Sequence, residues 1–222
     1  TTASGPNTIT NSGQNLNEPG TAQMTTLIGA QSFDVITLEF DFEIQSTSIQ
    51  FDYVFASEEY PEYAPPFSAG YNDAFAFYIS GAGIVGEENI ALVPNSTDIV
   101  SATTVNPQNN SQYFISNPGG QDIEFDGFTT VLTAQRDSLT ACQTYHLKLV
   151  IADGTDSDYN SAVFLKENSL VQDLLNVETQ TVNSNDIALE GCIKASFSFS
   201  FNDPSNEDRI INYQIGGTAV NG

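Results

Sequence analysis

The sequence predicts an all-β fold, an antiparallel β-sandwich of jelly-roll type. Segments in which apolar and polar residues alternate recur about every ten residues, the usual spacing of strands in such folds. Gly, Pro, Asn and Asp, which favour turns, separate these segments, and a long helical stripe is missing throughout. These observations favour two antiparallel sheets that bury aromatic and branched side chains between them.

The first two strands are predicted from the clearest alternation in the chain. Residues 1–32 are rich in Gly, Asn, Ser and Thr, and we expect them to form loops with at most one short strand. The segments VITLEFDFEI and SIQFDYVFA then alternate with a period of two, which is typical of half-buried strands. The apolar sets expected to face the core are Ile36, Leu38, Phe40, Phe42 and Ile44 in the first segment, and Ile49, Phe51, Tyr53 and Phe55 in the second.

Shorter runs predict the remaining strands of this sandwich. Each is bounded by residues that favour turns, and the run that contains the single histidine, TYHLKLVIAD, alternates most strongly. In order, the runs are AFAFYIS (74–80), NIALVP (89–94), SQYFIS (111–116), IEFDGFTTVLTA (123–134), TYHLKLVIAD (144–153) and SAVFLKENSL (161–170).

The chain divides into two predicted domains, a β-sandwich over residues 1–171 and an incomplete second β-sandwich module over 172–222. The polar segment 172–186 is interpreted as a linker or a first strand. The segment IALEGCIKASFSFSF then alternates through Ala195, Phe197, Phe199 and Phe201. About 50 residues with two or three strands are too few for an independent sandwich, so we expect the second module to be truncated.

The charge balance excludes several classes of partner. Among 222 residues, 28 Asp and Glu face 5 Lys and Arg, which gives a formal net charge of −23. Such a field repels nucleic acid and anionic membranes and attracts divalent cations. The 15 Phe and 9 Tyr still supply a hydrophobic core, so the chain is not predicted to be disordered.

The composition favours an extracellular protein. No apolar run approaches the roughly 20 residues that span a membrane, and the chain begins without an initiator Met or a signal peptide. We therefore expect a processed or excised piece of a longer protein. Cys142 and Cys192 lack the CxxC spacing of a zinc site. They could pair with each other, pair with other segments or stay free, and an extracellular setting favours a disulfide.

Acidic loops next to predicted strands suggest a calcium site. Calcium takes six to eight oxygen ligands, and loops at one end of a sandwich can converge to supply them. The alternative is that these carboxylates are simply solvated. Glu58 and Glu59 end a predicted core strand, and one of them, Glu59, is expected to turn inward. The full set of candidate ligands is Glu58, Glu59, Asp73, Asp153, Asp156, Asp158 and Asn160.

Tyrosines beside these acids mark the predicted ligand-binding surface, formed by Tyr60, Glu62, Tyr63 and Tyr71. Tyrosines and acids in loops are typical of sugar-binding modules. The alternative is that each ring packs over a neighbouring proline. The sequence does not suggest catalysis, because adjacent Glu58 and Glu59 form a poor acid/base pair and His146 is expected to be exposed on its strand.

A series of motifs resembles the choice-of-anchor L domain. In order they are ITLEFDF, FDYVFASEEYPEY, NDAFAFYISG, ENIALVP, FDGFTTVLTA, CQTYHLKLVIAD and DSDYNSAVFLKENS, between residues 33 and 169. The family occurs in secreted and surface proteins of Bacteroidota and other bacteria. It usually carries further sequence before TTASGPN, including a cysteine. The resemblance therefore implies that an N-terminal part is missing and that Cys142 could find its partner there.

The tail resembles the first half of a Calx-β-type repeat, in which Glu190 matches an acidic position near the start. Together the two resemblances imply a large modular surface protein, an adhesin of the kind that sometimes serves gliding motility and is exported by type IX secretion. The function expected is a non-enzymatic, calcium-stabilised adhesion module that binds a glycan or another surface protein. A lectin-like carbohydrate-binding module and a structural spacer in a surface filament are the alternatives.

Overall fold

The computed structural model describes residues 3–13, 15–16, 18–68, 70–167, 169–172, 175–181 and 195–201. Among these residues, one short α-helix precedes the strands, and one 3-10 turn lies at Ser111–Tyr113. The helix is α1 (Ala22–Ile28), and the strands are β1 (Ser32–Ile44), β2 (Ile49–Ser57), β3 (Ala74–Gly81), β4 (Glu88–Asn89), β5 (Val100–Ser101), β6 (Phe114–Ser116), β7 (Gly127–Thr129), β8 (Leu132–Arg136), β9 (Gln143–Gly154), β10 (Ser161–Leu165), β11 (Val171–Gln172), β12 (Leu175–Thr181) and β13 (Ala195–Phe201).

Two antiparallel sheets pack as a sandwich, which confirms the predicted fold class. The first sheet has five strands in the order β1-β9-β3-β4, with β5 also paired to β3. The second has six strands in the order β10-β2-β7-β6, with β8 and β11 also paired to β2. Ser57 at the end of β2 lies opposite Ser161 of β10, and Ala74 at the start of β3 lies opposite Ala152 of β9. The pairing therefore places the acidic loops at these strand ends.

Aromatic rings from both sheets form the main core. Phe51 of β2 meets Phe77 of β3 edge to face, with 4.1 Å between ring centroids. Tyr53 of β2 lies 5.1 Å from Phe75 of β3 between ring centroids, with the two rings tilted by 53°. Because β2 and β3 belong to opposite sheets, these contacts join the two layers, and edge-to-face pairs add about 0.5–1.5 kcal/mol beyond their area burial. The predicted inward face of β2 is confirmed, since all four of its apolar residues are buried.

The predicted inward face of β1 is wrong for the middle of the strand. Ile36, Leu38 and Phe40 are exposed by 48%, 56% and 37%, whereas Ile44 is fully buried and Phe42 packs partly against the core. Among the described strands, β1 is an edge of its sheet, and Leu38 and Phe40 line an open groove of about 390 Å³. Alternation identifies the apolar face of a strand, but it does not show whether another layer covers that face.

The N-terminal segment forms a helix that the sequence does not predict. α1 has 7 residues, too few to display a helical period. The Thr21 side chain caps it by accepting from the Met24 N–H at 3.2 Å, and Gly29 ends it with a φ of 79°. Met24 is fully buried against Ala76 and Val150 on the outer face of the first sheet. The helix therefore covers the face of β3 and β9 that points away from the main core.

Three predicted strands are shorter than expected or divided. In NIALVP the strand stops at Asn89, whose side-chain Oδ1 accepts from the N–H groups of Phe77 and Ala91 in place of a continued ladder. The run SQYFIS begins as the 3-10 turn before β6, and the run at 123–134 divides into β7 and β8.

The chain separates into two compact units, Thr1–Gln172 and Asp173–Gly222. In the second unit, β12 and β13 pair antiparallel along their whole length, with Leu175 opposite Phe201. The alternating run is therefore a strand, and the polar segment before it also contains one. Glu190 and the hairpin proposed after residue 201 lie outside the described residues.

Candidate functional site

Acidic loops meet at the end of the sandwich where β2 and β9 end and β3 and β10 begin. The Glu58 N–H donates to the Asn160 oxygen at 3.0 Å, and the Asn72 N–H donates to the Gly154 oxygen at 3.2 Å. Residue 154 must be glycine for this approach, because an added Cβ would lie 2.5 Å from the Asn72 oxygen. The charges that act together there define the first carboxylate cluster: Glu59, Asp73, Asp153, Asp156 and Asp158.

Asp73 is the anchored member of the first carboxylate cluster. It is buried, and its Oδ1 accepts from the Gly154 N–H at 3.2 Å while its Oδ2 accepts from the Ser161 hydroxyl at 2.6 Å. Burial raises the pKa of this carboxyl to about 7, although both hydrogen bonds oppose the rise. Asp73 thus connects the start of β3 in the first sheet to β10 in the second.

Glu59 is the unsatisfied member of the cluster. Its side chain is fully buried, and neither carboxylate oxygen has a hydrogen-bond partner. Burial raises the pKa of Glu59 to about 9, and the charges of Asp73, Asp156, Asp153 and Asp158 add to the effect. A buried acceptor without a partner costs about 1–3 kcal/mol, and more when it is charged. Glu59 is buried as predicted but reaches no backbone N–H group, and Glu58, the one expected to stay outside, is buried as well.

None of the described Lys and Arg side chains pairs with this cluster. In the part of the chain that the structure describes, each Lys and Arg side chain pairs with a carboxylate that does not belong to the first carboxylate cluster. These pairs are Arg136 with Glu88 at 2.9 Å, Lys148 with Glu87 at 2.7 Å and Lys166 with Asp52 at 2.8 Å. When they ionise, the buried carboxylates of the cluster therefore have no compensating charge among the described side chains.

Asp153 lies at the edge of the cluster, next to an acid that sequence reasoning missed. Asp34 is buried, and it lines a small cavity of about 70 Å³ together with Asp153 and Asn160. Burial, followed by the charge of Asp73 and then that of Asp34, raises the pKa of Asp153 to about 9. One available signal is the alternation, which shifts phase after Val35, where the structure has a register shift.

The loop between β9 and β10 carries the other predicted ligands. Asp156 is half-buried, and its Oδ1 accepts from the Asp158 N–H at 3.3 Å. Asp158 is exposed, and Thr155 and Tyr159 adopt positive φ values of 88° and 62°. Burial raises the pKa of Asp156. These residues lie near Glu59, but the loop opens to solvent.

Glu58 does not share the surroundings of Glu59. The charges that act on Glu58 come from Asp126, Glu124 and Glu62, and those that act on Glu59 come from the first carboxylate cluster. The seven predicted ligands therefore do not form a single group, because adjacent residues at the end of β2 point into different surroundings.

The first carboxylate cluster fits a hard divalent cation in chemistry but is not closed around one. All of its donors are oxygens, the ligand class that calcium prefers. Among the described residues, however, no three Asp, Glu, His or Cys side chains are placed as a complete chelating group. An ion would therefore have to draw Glu59 and the aspartates inward, with carbonyl or water oxygens completing its shell.

The prediction that Tyr60 lines a ligand surface is wrong. Its side chain is fully buried, its hydroxyl donates to the Val105 oxygen at 2.6 Å, and its ring lies 4.8 Å from that of Phe114. After β2 the chain turns inward, and the Tyr63 N–H donates to the backbone carbonyl oxygen of Glu59 at 2.9 Å. This turn directs Tyr60 into the core.

A tyrosine cluster lies beside the acids instead, formed by Tyr63, Tyr71 and Tyr159. The ring of Tyr63 lies 5.1 Å from that of Tyr71 and 4.9 Å from that of Tyr159. The hydroxyls of Tyr63 and Tyr159 lie 3.1 Å apart. All three rings are half-buried, and Glu62 beside them is exposed. Sequence reasoning missed Tyr159, although it directly follows the candidate ligand Asp158.

The remaining candidates lie apart from these groups. His146 is on the outer surface as predicted, and its Nδ1 lies 2.8 Å from an Asp41 oxygen, which raises the pKa of the imidazole. Cys142 is exposed and has no disulfide partner among the described residues, while Cys192 lies outside them. A disulfide that involves either cysteine therefore stays a prediction.

Comparison with known proteins agrees with the sequence motifs. The family model of the choice-of-anchor L domain matches residues 1–171, while no curated protein and no solved structure matches significantly. The family is a surface-anchor type found in secreted or surface-associated proteins, and it is not an enzyme family. In the described residues, no helix is long and apolar enough to cross a membrane. Through its β-sandwich unit, the chain belongs to the choice-of-anchor L domain family.

Proposed function

We propose that this domain is a non-enzymatic adhesion module of a secreted surface protein and that calcium at the first carboxylate cluster stabilises it. The observation that carries the proposal is Glu59, fully buried with both oxygens unpartnered among four aspartates. A charge in such surroundings is retained when an opposite charge and donors satisfy it. The described lysines and arginines are paired elsewhere, so an external cation fills that role.

Calcium at this position would join three segments of the fold. Glu59 follows β2, Asp73 precedes β3, and Asp153 belongs to the end of β9. An ion shared by these side chains holds two sheets and the loop between β9 and β10 in one arrangement. Because the ion binds only the folded chain, its binding free energy adds to the free energy of unfolding.

The adhesive surface of this proposal is the tyrosine cluster with the exposed Glu62. Tyr159 lies between Asp158 and Asn160, so the loop that would surround the ion also carries one ring of the cluster. Half-buried tyrosines present a flat apolar face and a hydroxyl, which suit sugar rings and protein surfaces alike. The ligand is therefore a glycan or another surface protein, and calcium orders the loop that contacts it.

The parent protein of this proposal is a large modular adhesin of Bacteroidota, exported by type IX secretion and acting in surface attachment or gliding. Its support is the order of the family motifs together with a tail that resembles a Calx-β-type repeat. A lectin-like carbohydrate-binding module is the second candidate, and the tyrosine cluster beside carboxylates favours it. A structural spacer is the third.

Binding of the full chain to glycan arrays and to immobilised surface extracts, in calcium and in EDTA, tests the proposal. We expect binding that calcium strengthens and that Tyr63→Ala or Tyr71→Ala weakens. The matched control is Val85→Ala, which removes a fully exposed apolar side chain from the turn between β3 and β4. Binding to defined glycans alone would favour the lectin-like module. Absence of any binding under both conditions would leave only the spacer.

A further inference from the structure

A second group of buried carboxylates lies apart from the first carboxylate cluster. Glu58, Glu124 and Asp126 are exposed by only 1%, 7% and 5%. Four of their oxygens lack a hydrogen-bond partner, namely both oxygens of Glu58, Oε1 of Glu124 and Oδ2 of Asp126. Buried oxygens are rarely left without partners in proteins, so this concentration requires an explanation.

Strand pairing brings two of these carboxylates together, because Ser57 at the end of β2 lies opposite Gly127 at the start of β7, with Glu58 and Asp126 as the next residues outward. After burial, the largest contribution that raises the pKa of Glu58, to about 8, is the charge of Asp126, and Glu124 adds to it. Burial also raises the pKa of Asp126, with Glu124 again contributing. The backbone N–H of Ser12 acts to lower the pKa of Glu58. It does not form a hydrogen bond of normal geometry with either carboxylate oxygen, so both oxygens remain without a partner. The unpartnered oxygens therefore share one negative region inside the fold.

Asn7 orients one of the three carboxylates. Its Nδ2 donates to Oδ1 of Asp126 at 2.8 Å and to the Asn117 oxygen at 2.9 Å. Asn7 is itself buried, so these bonds hold Asp126 in a fixed position. They satisfy one oxygen of Asp126 and leave the other unpartnered, as expected of a carboxylate that is positioned for a ligand.

The backbone around this group is also well held. The Gly5 N–H donates to the Asp122 oxygen at 3.0 Å, and the Asn7 N–H donates to the Gly120 oxygen at 2.7 Å. Across the base of the loop, the Asn117 N–H donates to the backbone carbonyl oxygen of Asp126 at 2.8 Å. The segment 3–13 is therefore fastened to the loop 117–126, which carries two of the three carboxylates.

We propose that Glu58, Glu124 and Asp126 form a second binding site for a hard divalent cation, of which calcium is the one that its oxygen donors favour. The donor set contains neither nitrogen nor sulfur, so it does not suit zinc or copper. As at the first cluster, the side chains are not placed as a complete chelating group, and the ion draws them inward. The bound ion joins the end of β2 to the loop 117–126 and, through Asn7, to the segment 3–13.

The second site rests on observations that are separate from those that support the proposed function. It uses none of the residues of the first carboxylate cluster, and its support is its own set of unpartnered oxygens. Either site can therefore fail without the other. The described Lys and Arg side chains do not neutralise the second site either, since they pair with Glu88, Glu87 and Asp52.

Calcium titration of the full chain by calorimetry tests the second site. We expect two calcium ions per chain, and one for either Glu124→Gln or Asp126→Asn. The matched control is Asp122→Asn, an exposed carboxylate of the same loop, which should leave two ions bound. Circular dichroism confirms that each variant is folded, and Glu124→Gln serves if the loss of the Asn7 contact unfolds Asp126→Asn.

Hydrogen exchange locates the two ions separately. Calcium at the second site should slow exchange in residues 3–13 and 117–126, and Glu124→Gln should remove this protection while leaving that of residues 153–160. If the chain binds one ion, which Glu59→Gln abolishes and Glu124→Gln does not, the second site is overturned and the first stands. The reverse pattern overturns the first site alone. No calcium bound at millimolar concentration overturns both.

Discussion

Replacement of Glu59 by Gln separates the charge of this side chain from its shape. The carboxylate is fully buried, lacks hydrogen-bond partners and is surrounded by four acidic side chains. In EDTA the substitution removes a group whose ionisation the fold opposes, so we expect an unchanged or slightly raised melting temperature at pH 8. In calcium it removes the central ligand of the proposed site, so we expect the calcium-dependent gain to be lost.

The size of that gain follows from linkage. Calcium at a hundredfold excess over its Kd adds about 2.7 kcal/mol to the free energy of unfolding. For a chain of this size each kcal/mol moves the melting temperature by roughly 2–4 °C, so the shift should be about 5–10 °C. Differential scanning calorimetry of the wild type and Glu59→Gln, each in calcium and in EDTA, measures the four values required.

The control for this experiment is Asp98→Asn, which removes an exposed carboxylate that belongs to neither cluster. It should keep the full calcium shift. If Glu59→Gln keeps the same shift as the wild type, the buried carboxylate does not bind the ion, and the reasoning from its unpartnered oxygens is refuted. If the wild type shows no shift, calcium stabilisation itself is refuted.

Two further outcomes follow from the same structure. Since burial raises the pKa of Glu59 and of Asp153 to about 9, the folded chain binds more protons than the unfolded chain between roughly pH 4 and 9. In EDTA the free energy of unfolding should therefore fall as the pH rises through this window, and a rise in urea-denaturation midpoints would contradict it. Gly127→Ala should cost about 1–3 kcal/mol, because an added Cβ would lie 2.8 Å from the buried Tyr60 ring. Urea denaturation measures the loss, with Gly70→Ala, whose nearest contact is 3.9 Å, as the control.

The convergence of the acidic loops could be predicted because antiparallel pairing obeys simple rules. The pairing of β3 with β9 brings Asp73 beside Asp153, and the pairing of β2 with β10 brings Glu59 to the loop that joins β9 to β10. The contribution of Asp34 could not be predicted in the same way. It lies inside the long run of β1, and its position depends on the register shift between Phe33 and Ile36.

The second group of carboxylates could not be predicted from the sequence, because alternation does not show which strand faces become buried. Glu124 and Asp126 alternate with apolar residues, so the pattern indicates a strand with an acidic, solvated face. In the fold the segment 3–13 covers this face, and its contacts to the loop 117–126 are more than a hundred residues apart in sequence. Alternation reports which side chains share a face, whereas burial of that face depends on a distant segment. The middle of β1 shows the reverse, since its apolar face is expected to be buried but is exposed.

The two carboxylate groups are close enough along the backbone to influence each other. Glu58 and Glu59 are adjacent, and Asn160 bridges the two sides, since its N–H donates to the Ser12 oxygen at 3.0 Å and its oxygen accepts from the Glu58 N–H at 3.0 Å. An ion at either site would restrain this shared backbone and lower the ordering cost at the other. In calcium, the double variant Glu59→Gln/Asp126→Asn should therefore lose less stability than the sum of the single losses.

Residues that share a network in this way show coupling of about 0.5–3 kcal/mol, whereas independent sites add to within about 0.3–0.5 kcal/mol. Urea denaturation of the wild type, both single variants and the double variant gives the coupling in calcium, and the same cycle in EDTA gives its ion-independent part. Additivity in calcium would show that the backbone of Asn160 transmits nothing between the sites. Equal coupling in calcium and in EDTA would assign it to the carboxylates themselves rather than to bound ions.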